Sequence, residues 1–219
     1  MAFIKENYKQ IVSRVSVANA GLVAVSKIRS VPEILEAYNE GQRDFGENYV
    51  QELMEKFNAL PKDIRWHFIG HLQTNKIKTI LPLTFLIHGV DSEKLLGAIN
   101  KEAKKINKKI SCLLQVHIAQ EATKFGFNEE EILHISLEKY PFINICGLMG
   151  MASLVDDRDQ IRNEFKKLSA MFDKMKPVFS KAISPVLSMG MSDDYDIALE
   201  EGSNLVRIGS LLFGQRGVK

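Results

Sequence analysis

Cysteine is nearly missing from this sequence. Cys112 and Cys146 are the only two in 219 residues, and each sits inside an apolar run. A disulfide scaffold needs more, so the chain reads as one that works in a reducing compartment. There is no CxxC pair and no Cys/His cluster, so zinc has no ligand set. An excess of one charge is missing too. The 29 Lys and Arg stand against 27 Asp and Glu, a net of +2. That balance excludes a strongly basic nucleic-acid binder as the default, and it excludes an acidic tail. Long hydrophobic runs are absent, and none approaches the roughly 18 residues of a spanning helix. Residues 1–10 carry Lys5, Glu6 and Lys9, which is not the pattern of a signal peptide. The expectation is a cytoplasmic protein with neither membrane nor nucleic acid as a partner.

What the chain does contain is an alternation of short apolar runs with longer amphipathic ones. Runs with strand character lie at 22–26, 43–46, 66–69, 84–88, 110–117, 143–149, 186–189 and 205–208. Between them, Ile161, Phe165, Leu168, Phe172 and Met175 recur at helical steps, as do Leu95, Leu96, Ile99, Ala103 and Ile106. Helix starts are signalled by Asp91-Ser92 before Glu93, by Asn128 three residues ahead of Glu131, and by Pro32 in a first turn. Gly41 and Gly202 fit helix ends. Strands alternating with helices predict right-handed βαβ units and a parallel sheet. Eight units in 219 residues give about 27 residues each, the repeat of a closed (β/α)₈ barrel. No linker divides the chain, so residues 1–219 are read as a single domain. A doubly wound open sheet is the alternative. Its glycine-rich fingerprint would follow the first strand, where Lys27-Ile28-Arg29-Ser30 stands instead.

In such a barrel the chemistry sits at the carboxyl ends of the strands. Lys27 closes the first of them over an apolar floor. Desolvation there disfavours the ammonium form, and a neutral amine is what imine formation with an aldehyde requires. The competing reading is a solvated strand-end lysine. The runs at 186–189 and 205–208 lead into Ser192 and into Gly209-Ser210. Loops in those two places, with a short extra helix, form the recurrent phosphate site of this fold. Ser192 also reads as a plain N-cap, with Asp193 and Asp194 as acids of the first turn, so more of the phosphate falls to Gly209 and Ser210. Glu47 and Asn48 put a carboxylate and an amide at the rim after the second strand, although Glu47 reads equally as the opening of the next helix. Five histidines are present. His67 and His71 have no carboxylate beside them in sequence, and His88 and His117 read as core or rim. The lysines at 101, 104, 105, 108 and 109 read as a solvated helix face.

Six segments occur in order: AVSK at 24–27, FGENYVQE at 45–52, WHFIGHLQTNK at 66–76, GLMGM at 147–151, LSMGMSDDYDIAL at 187–199 and VRIGSLLFGQR at 206–216. On these the chain resembles the pyridoxal phosphate homeostasis proteins, which are similar to the barrel domain of alanine racemase, a fold-type III pyridoxal phosphate protein. The resemblance implies a pyridoxal 5'-phosphate-binding barrel without a second domain, with the cofactor held as a Schiff base on Lys27. It implies Arg207 facing the pyridine nitrogen, Ser192, Gly209 and Ser210 on the phosphate, and Asn48 lining the pocket. Two departures from the family pattern stand out. Ile28-Arg29-Ser30 replaces a Thr-Lys-Pro type of sequence, and Ala119-Gln120-Glu121 lacks the serine that often precedes the glutamate. Both are expected to leave the lysine and the phosphate cluster untouched.

The resemblance implies a carrier that holds the cofactor and hands it on, with apo forms of pyridoxal phosphate enzymes as acceptors, and a monomer is expected because a complete barrel needs no partner to close its core. Lys124, ahead of the helix capped by Asn128, is a candidate for taking the cofactor during transfer. An amino-acid racemase or decarboxylase on the same cofactor is the alternative, and a cofactor-free Schiff-base lyase is a third reading. Turnover is expected to be negligible. Arginine at the ring nitrogen weakens the electron sink. Racemisation needs a second base, which alanine racemase takes from a tyrosine on a further domain, and the residues after Gly214 leave no length for one.

Overall fold

The computed structural model describes residues 3–121, 125–180 and 183–215. Eight parallel strands close into a barrel in chain order: β1 (Gly21–Val25), β2 (Asp44–Glu47), β3 (Arg65–Phe68), β4 (Leu86–Val90), β5 (Ile110–Gln115), β6 (Ile143–Met149), β7 (Val186–Ser188) and β8 (Leu205–Ile208). The ring closes where β1 pairs with β8, setting Val23 opposite Arg207 and Ala24 opposite Ile208. The predicted barrel is therefore present, and the doubly wound alternative is not. Strand bounds moved by one or two residues at most ends. β1 stops at Val25, so Lys27 does not close the strand but sits in the turn after it.

Helices α1 (Lys5–Val17), α2 (Val31–Asn39), α3 (Val50–Ala59), α4 (Ile77–Ile80), α5 (Glu93–Lys105), α6 (Glu129–Leu133), α7 (Arg158–Met175), α8 (Tyr195–Glu200) and α9 (Ser210–Phe213) surround the strands. Their ends follow the caps read from sequence. Ser92 accepts from the Leu95 amide, Asn128 and Glu131 form a capping box, and Ser30 with Glu33 forms another ahead of Pro32. The α7 face at Ile161, Phe165, Leu168, Phe172 and Met175 is buried. Ile106 departs from its expected face. α5 ends at Lys105, and Ile106 is left exposed beyond it.

Apolar packing falls into two bodies. The larger lies between strands and helices and runs around the whole ring, from Leu22 and Ile34 to Leu187 and Ile208. The smaller fills the inside of the strand circle with Leu86, Leu113, Cys146 and Met149. Polar side chains share that interior: His67, His88, Ser188 and Arg207 are all buried. Among the described residues no helix is long and apolar enough to cross a membrane.

Candidate functional site

Residues 26–29 form a tight turn in which the Arg29 amide donates to the Ser26 carbonyl at 3.0 Å. Ile28 has φ of 60°, a left-handed conformation that a β-branched side chain adopts at a cost. Its amide donates to Glu52 Oε2 at 2.7 Å. Lys56 Nζ donates to Glu52 Oε2 (2.7 Å), to the Ser26 carbonyl (2.7 Å) and to Glu47 Oε1 (2.8 Å). The Ser26 hydroxyl donates to the same Glu47 oxygen at 2.5 Å. A buried knot between β2 and α3 thus grips the residues on both sides of Lys27. Burial pushes the Glu47 carboxyl up to about 7, against the pull of the Lys56 ammonium. Glu47 is consequently neither a rim group nor a helix opener. It ends β2, fully buried, and α3 begins behind Tyr49.

Beside β1 in the ring, β8 and its neighbour β7 deliver the other candidates. Ser192 does not cap a helix, since α8 starts behind Asp194. Asp194 instead folds back to accept from the Met191 amide at 2.6 Å, and Ser192 Oγ accepts from the Gly209 amide at 3.4 Å. Gly209 precedes α9 and packs on β1, where an added Cβ would stand 3.3 Å from Val25 Cβ and from the Val25 carbonyl. Arg207 reaches inward from β8 and is 4% exposed. It donates to the Ser188 carbonyl (2.9 Å), to Ser188 Oγ (2.6 Å) and to the Gly150 carbonyl (3.1 Å). Burial pushes the guanidinium pKa down to about 10, while Asp194 pulls it back up. Asn48 follows β2, and Gly70 permits its placement: a Cβ at position 70 would lie 2.3 Å from the Asn48 carbonyl oxygen.

These pieces meet in one cavity of about 280 Å³ at the carboxyl ends of the strands. All six residues nominated from sequence line it: Lys27, Asn48, Ser192, Arg207, Gly209 and Ser210. Arg29 lines it as well, which corrects the expectation that this departure from the family pattern stays clear of the pocket. Its guanidinium donates to the Gly214 carbonyl at 2.5 Å, over the loop that carries Ser210. The signal for Arg29 was a cation two residues past Lys27, and it becomes legible only once the Ile28 conformation is known. Two histidine readings also change. His67 Nε2 lies 2.9 Å from Asp44 Oδ1 and His71 Nδ1 lies 3.2 Å from Asp91 Oδ2, so each has a carboxylate supplied by another strand or loop. Lys124 lies outside the described residues. Among those residues, no group of three or more His, Cys, Asp or Glu is arranged to hold a metal ion.

The family model for the N-terminal domain of alanine racemase matches residues 1–217. A pyridoxal phosphate homeostasis protein of Aquifex aeolicus is 40% identical over 201 residues, covering 90% of this chain and 87% of its own. This chain belongs to the pyridoxal phosphate homeostasis protein family. The Homo sapiens member is 39% identical over 210 residues, covering 89% of this chain and 76% of its own. Among solved structures, PipY of Synechococcus elongatus with PLP bound matches at a TM-score of 0.83 and 31% identity, over 95% of this chain and 99% of that one. Alanine racemase of Clostridium difficile matches at 0.73 and 15% identity, all of this chain against 59% of that one, a likeness of fold.

Proposed function

We propose that this protein holds pyridoxal 5'-phosphate, keeps its aldehyde out of free solution and releases it to apo enzymes that need it. The observation that carries the reading is one cavity lined by Lys27 together with the Gly209–Ser210 loop, Ser192 and Arg29. A small ring bearing an aldehyde and a phosphate satisfies the amine and the loop at once. The residues present fit that group. Asn48 Oδ1 is buried without a hydrogen-bond donor, and a ring hydroxyl is the donor it lacks. Arg207 offers only donors, so a ring nitrogen beside it stays an unprotonated acceptor. Arg29 and the backbone and hydroxyl donors of residues 192, 209 and 210 suit a dianionic phosphate.

The bound group supplies the carbonyl to which an amine adds, together with an electron-withdrawing ring. Lys27 supplies the amine, and the Ser26–Glu47–Lys56–Glu52 knot holds it in place. Arg207 would hold the ring from its nitrogen side, and as a donor only it would leave that nitrogen unprotonated, a weaker electron sink. Among the described residues, the cavity lining has Lys27 as its amine and no tyrosine, so the opposite face of a bound amino acid meets no base of that kind. Arginine alone does not forbid the chemistry, since alanine racemase works with one, so it is the missing second base that supports a carrier with negligible turnover over a racemase. Two free, buried cysteines support a reducing, cytoplasmic setting. A barrel closed on itself supports a monomer as the working unit.

Borohydride reduction of the protein mixed with pyridoxal 5'-phosphate, followed by peptide mapping, tests the reading. The pyridoxyl group is expected on the Lys27 peptide, and Lys27→Ala is expected to remove the visible absorbance. A stable adduct on another lysine, or none at all, overturns it.

A further inference from the structure

Five side chains form an unbroken file of hydrogen bonds through the inside of the barrel. Arg207 Nη1 donates to Ser188 Oγ at 2.6 Å. Ser188 Oγ lies 3.2 Å from His88 Nδ1. His88 Nε2 lies 2.9 Å from His67 Nδ1, and His67 Nε2 lies 2.9 Å from Asp44 Oδ1. The file begins at the wall of the ligand cavity. It ends at the first residue of β2, at the opposite mouth of the barrel.

One assignment of the hydrogens satisfies both ends of the file. A guanidinium only donates. Ser188 Oγ therefore accepts from Arg207, and in this assignment its own hydrogen goes to its other partner, His88 Nδ1. Burial, with Arg207 and His67 nearby, holds His88 well below the ordinary histidine range and hence neutral. A neutral ring that accepts at Nδ1 carries its hydrogen on Nε2, so His88 donates to His67 Nδ1. His67 must then carry a hydrogen on Nε2, directed at Asp44. Asp44 is held ionised: burial raises its carboxyl, but the hydrogen bonds from His67 and Arg65 outweigh that and keep it low. All four bonds thus point from the cation to the carboxylate.

Such a file is expensive to keep. The same interior is packed with Leu86, Leu113 and Met149, and apolar side chains of similar size would fill it without desolvation cost. Nor does Arg207 have a carboxylate within ion-pair distance among the described residues. Asp194 acts on it through space, and a polarised chain of bonds gives Asp44 a second route.

We propose that Ser188, His88, His67 and Asp44 are positioning residues that fix the Arg207 guanidinium against the ligand ring and make Asp44, which Arg65 also pairs at the far end of the barrel, a second and more distant counter-charge beside Asp194. The proposal rests on the pyridoxal phosphate reading for what Arg207 meets, but the file itself stands without any ligand. It implies that a substitution outside the cavity changes the electronic state of the bound ring.

Two measurements judge it. The first is nitrogen-15 NMR of the histidine side chains in the ligand-free protein. Both His67 and His88 are expected to carry the bonding hydrogen on Nε2 and none on Nδ1, and a hydrogen on Nδ1 of either overturns the assigned direction. The second uses protein loaded with pyridoxal 5'-phosphate. Ser188→Ala cuts the file but keeps the Arg207 bond to the residue 188 carbonyl. Asp44→Asn keeps an acceptor but removes the charge, and it lies at the partly exposed end where folding is least at risk. Both are expected to move the absorption maximum of the bound ligand and to speed its release on the order of tenfold, within the range of couplings in one network. His134→Ala, at the exposed end of α6, is expected to change neither. Unmoved spectra and release rates in folded Asp44→Asn overturn the proposal. If the wild type takes up no ligand, the functional reading fails, and the NMR result alone decides the file.

Discussion

Glu47 Oε1 and Lys56 Nζ meet at 2.8 Å, and both bond to Ser26, the residue before Lys27. The stability of the molecule and the placement of the turn that carries Lys27 therefore share one buried pair. The Glu47 carboxyl is raised to about 7 in the folded chain and lies near 4.5 when unfolded. The folded state binds the proton more tightly, so this group's contribution is fully present below about pH 4.5 and is lost as pH rises towards 7. Urea unfolding at several pH values is expected to show wild type losing stability over that window relative to Glu47→Gln. A constant difference between the two proteins across the window would contradict the assignment.

Lys56→Met leaves Glu47 buried without its cation. At pH 8 the loss is expected to be about 3–5 kcal/mol, the usual cost of breaking a buried pair from one side. Adding Glu47→Gln to the same chain is expected to restore much of it, and a double-mutant cycle measures the coupling. Additive single effects would show that the two groups act independently.

Ile28 is 59% exposed and holds φ at 60°. Asparagine tolerates that conformation, and little burial is lost on replacement. Ile28→Asn is expected to stabilise the protein by about 1 kcal/mol, a rise in melting temperature of about 2–4 °C for a domain of this size. A lower melting temperature would mean that the isoleucine side chain makes contacts outweighing the backbone strain.

The phosphate is expected to carry most of the ligand affinity. Charge-assisted hydrogen bonds are worth roughly 1.5–3 kcal/mol each, so pyridoxal without phosphate is expected to bind at least about a hundredfold more weakly. Arg29→Ala is expected to narrow that gap, because it weakens the phosphorylated form selectively. Titration of both ligands against both proteins checks this, and equal affinities for the two ligands in wild type would remove the case for the Gly209–Ser210 loop.

Incubation with L- and D-alanine followed by chiral analysis is expected to show no sustained racemisation. Turnover in the usual enzyme range of about 1–1000 per second would favour the racemase reading instead.

The eight strands were legible because each is a short apolar run between turn signals, and the ring follows from their number and spacing. Their ends were less so, since tertiary partners set them. Thr84 was read into β4, but its amide and hydroxyl both bond to the Ile80 carbonyl, so the strand starts at Leu86. Val116 and His117 were read into β5, but they pair with Phe127 of the following loop. The pocket residues were visible because strand ends mark the active face of a barrel. Arg29 was not, because a left-handed isoleucine turns it into the mouth. The partners of His67 and His88 were hidden for a different reason. Asp44 is 23 residues from His67, and Ser188 is 100 residues from His88. No local pattern in a sequence encodes contacts at such separations.

The division of the apolar packing into a large body outside the strand circle and a small one within it also governs how the protein tolerates change. Leu86, Leu113, Cys146 and Met149 share few neighbours with the helix-facing residues, so their substitutions should combine additively with those outside. The lining of the barrel is therefore a compartment whose repacking is felt separately from that of the helical coat.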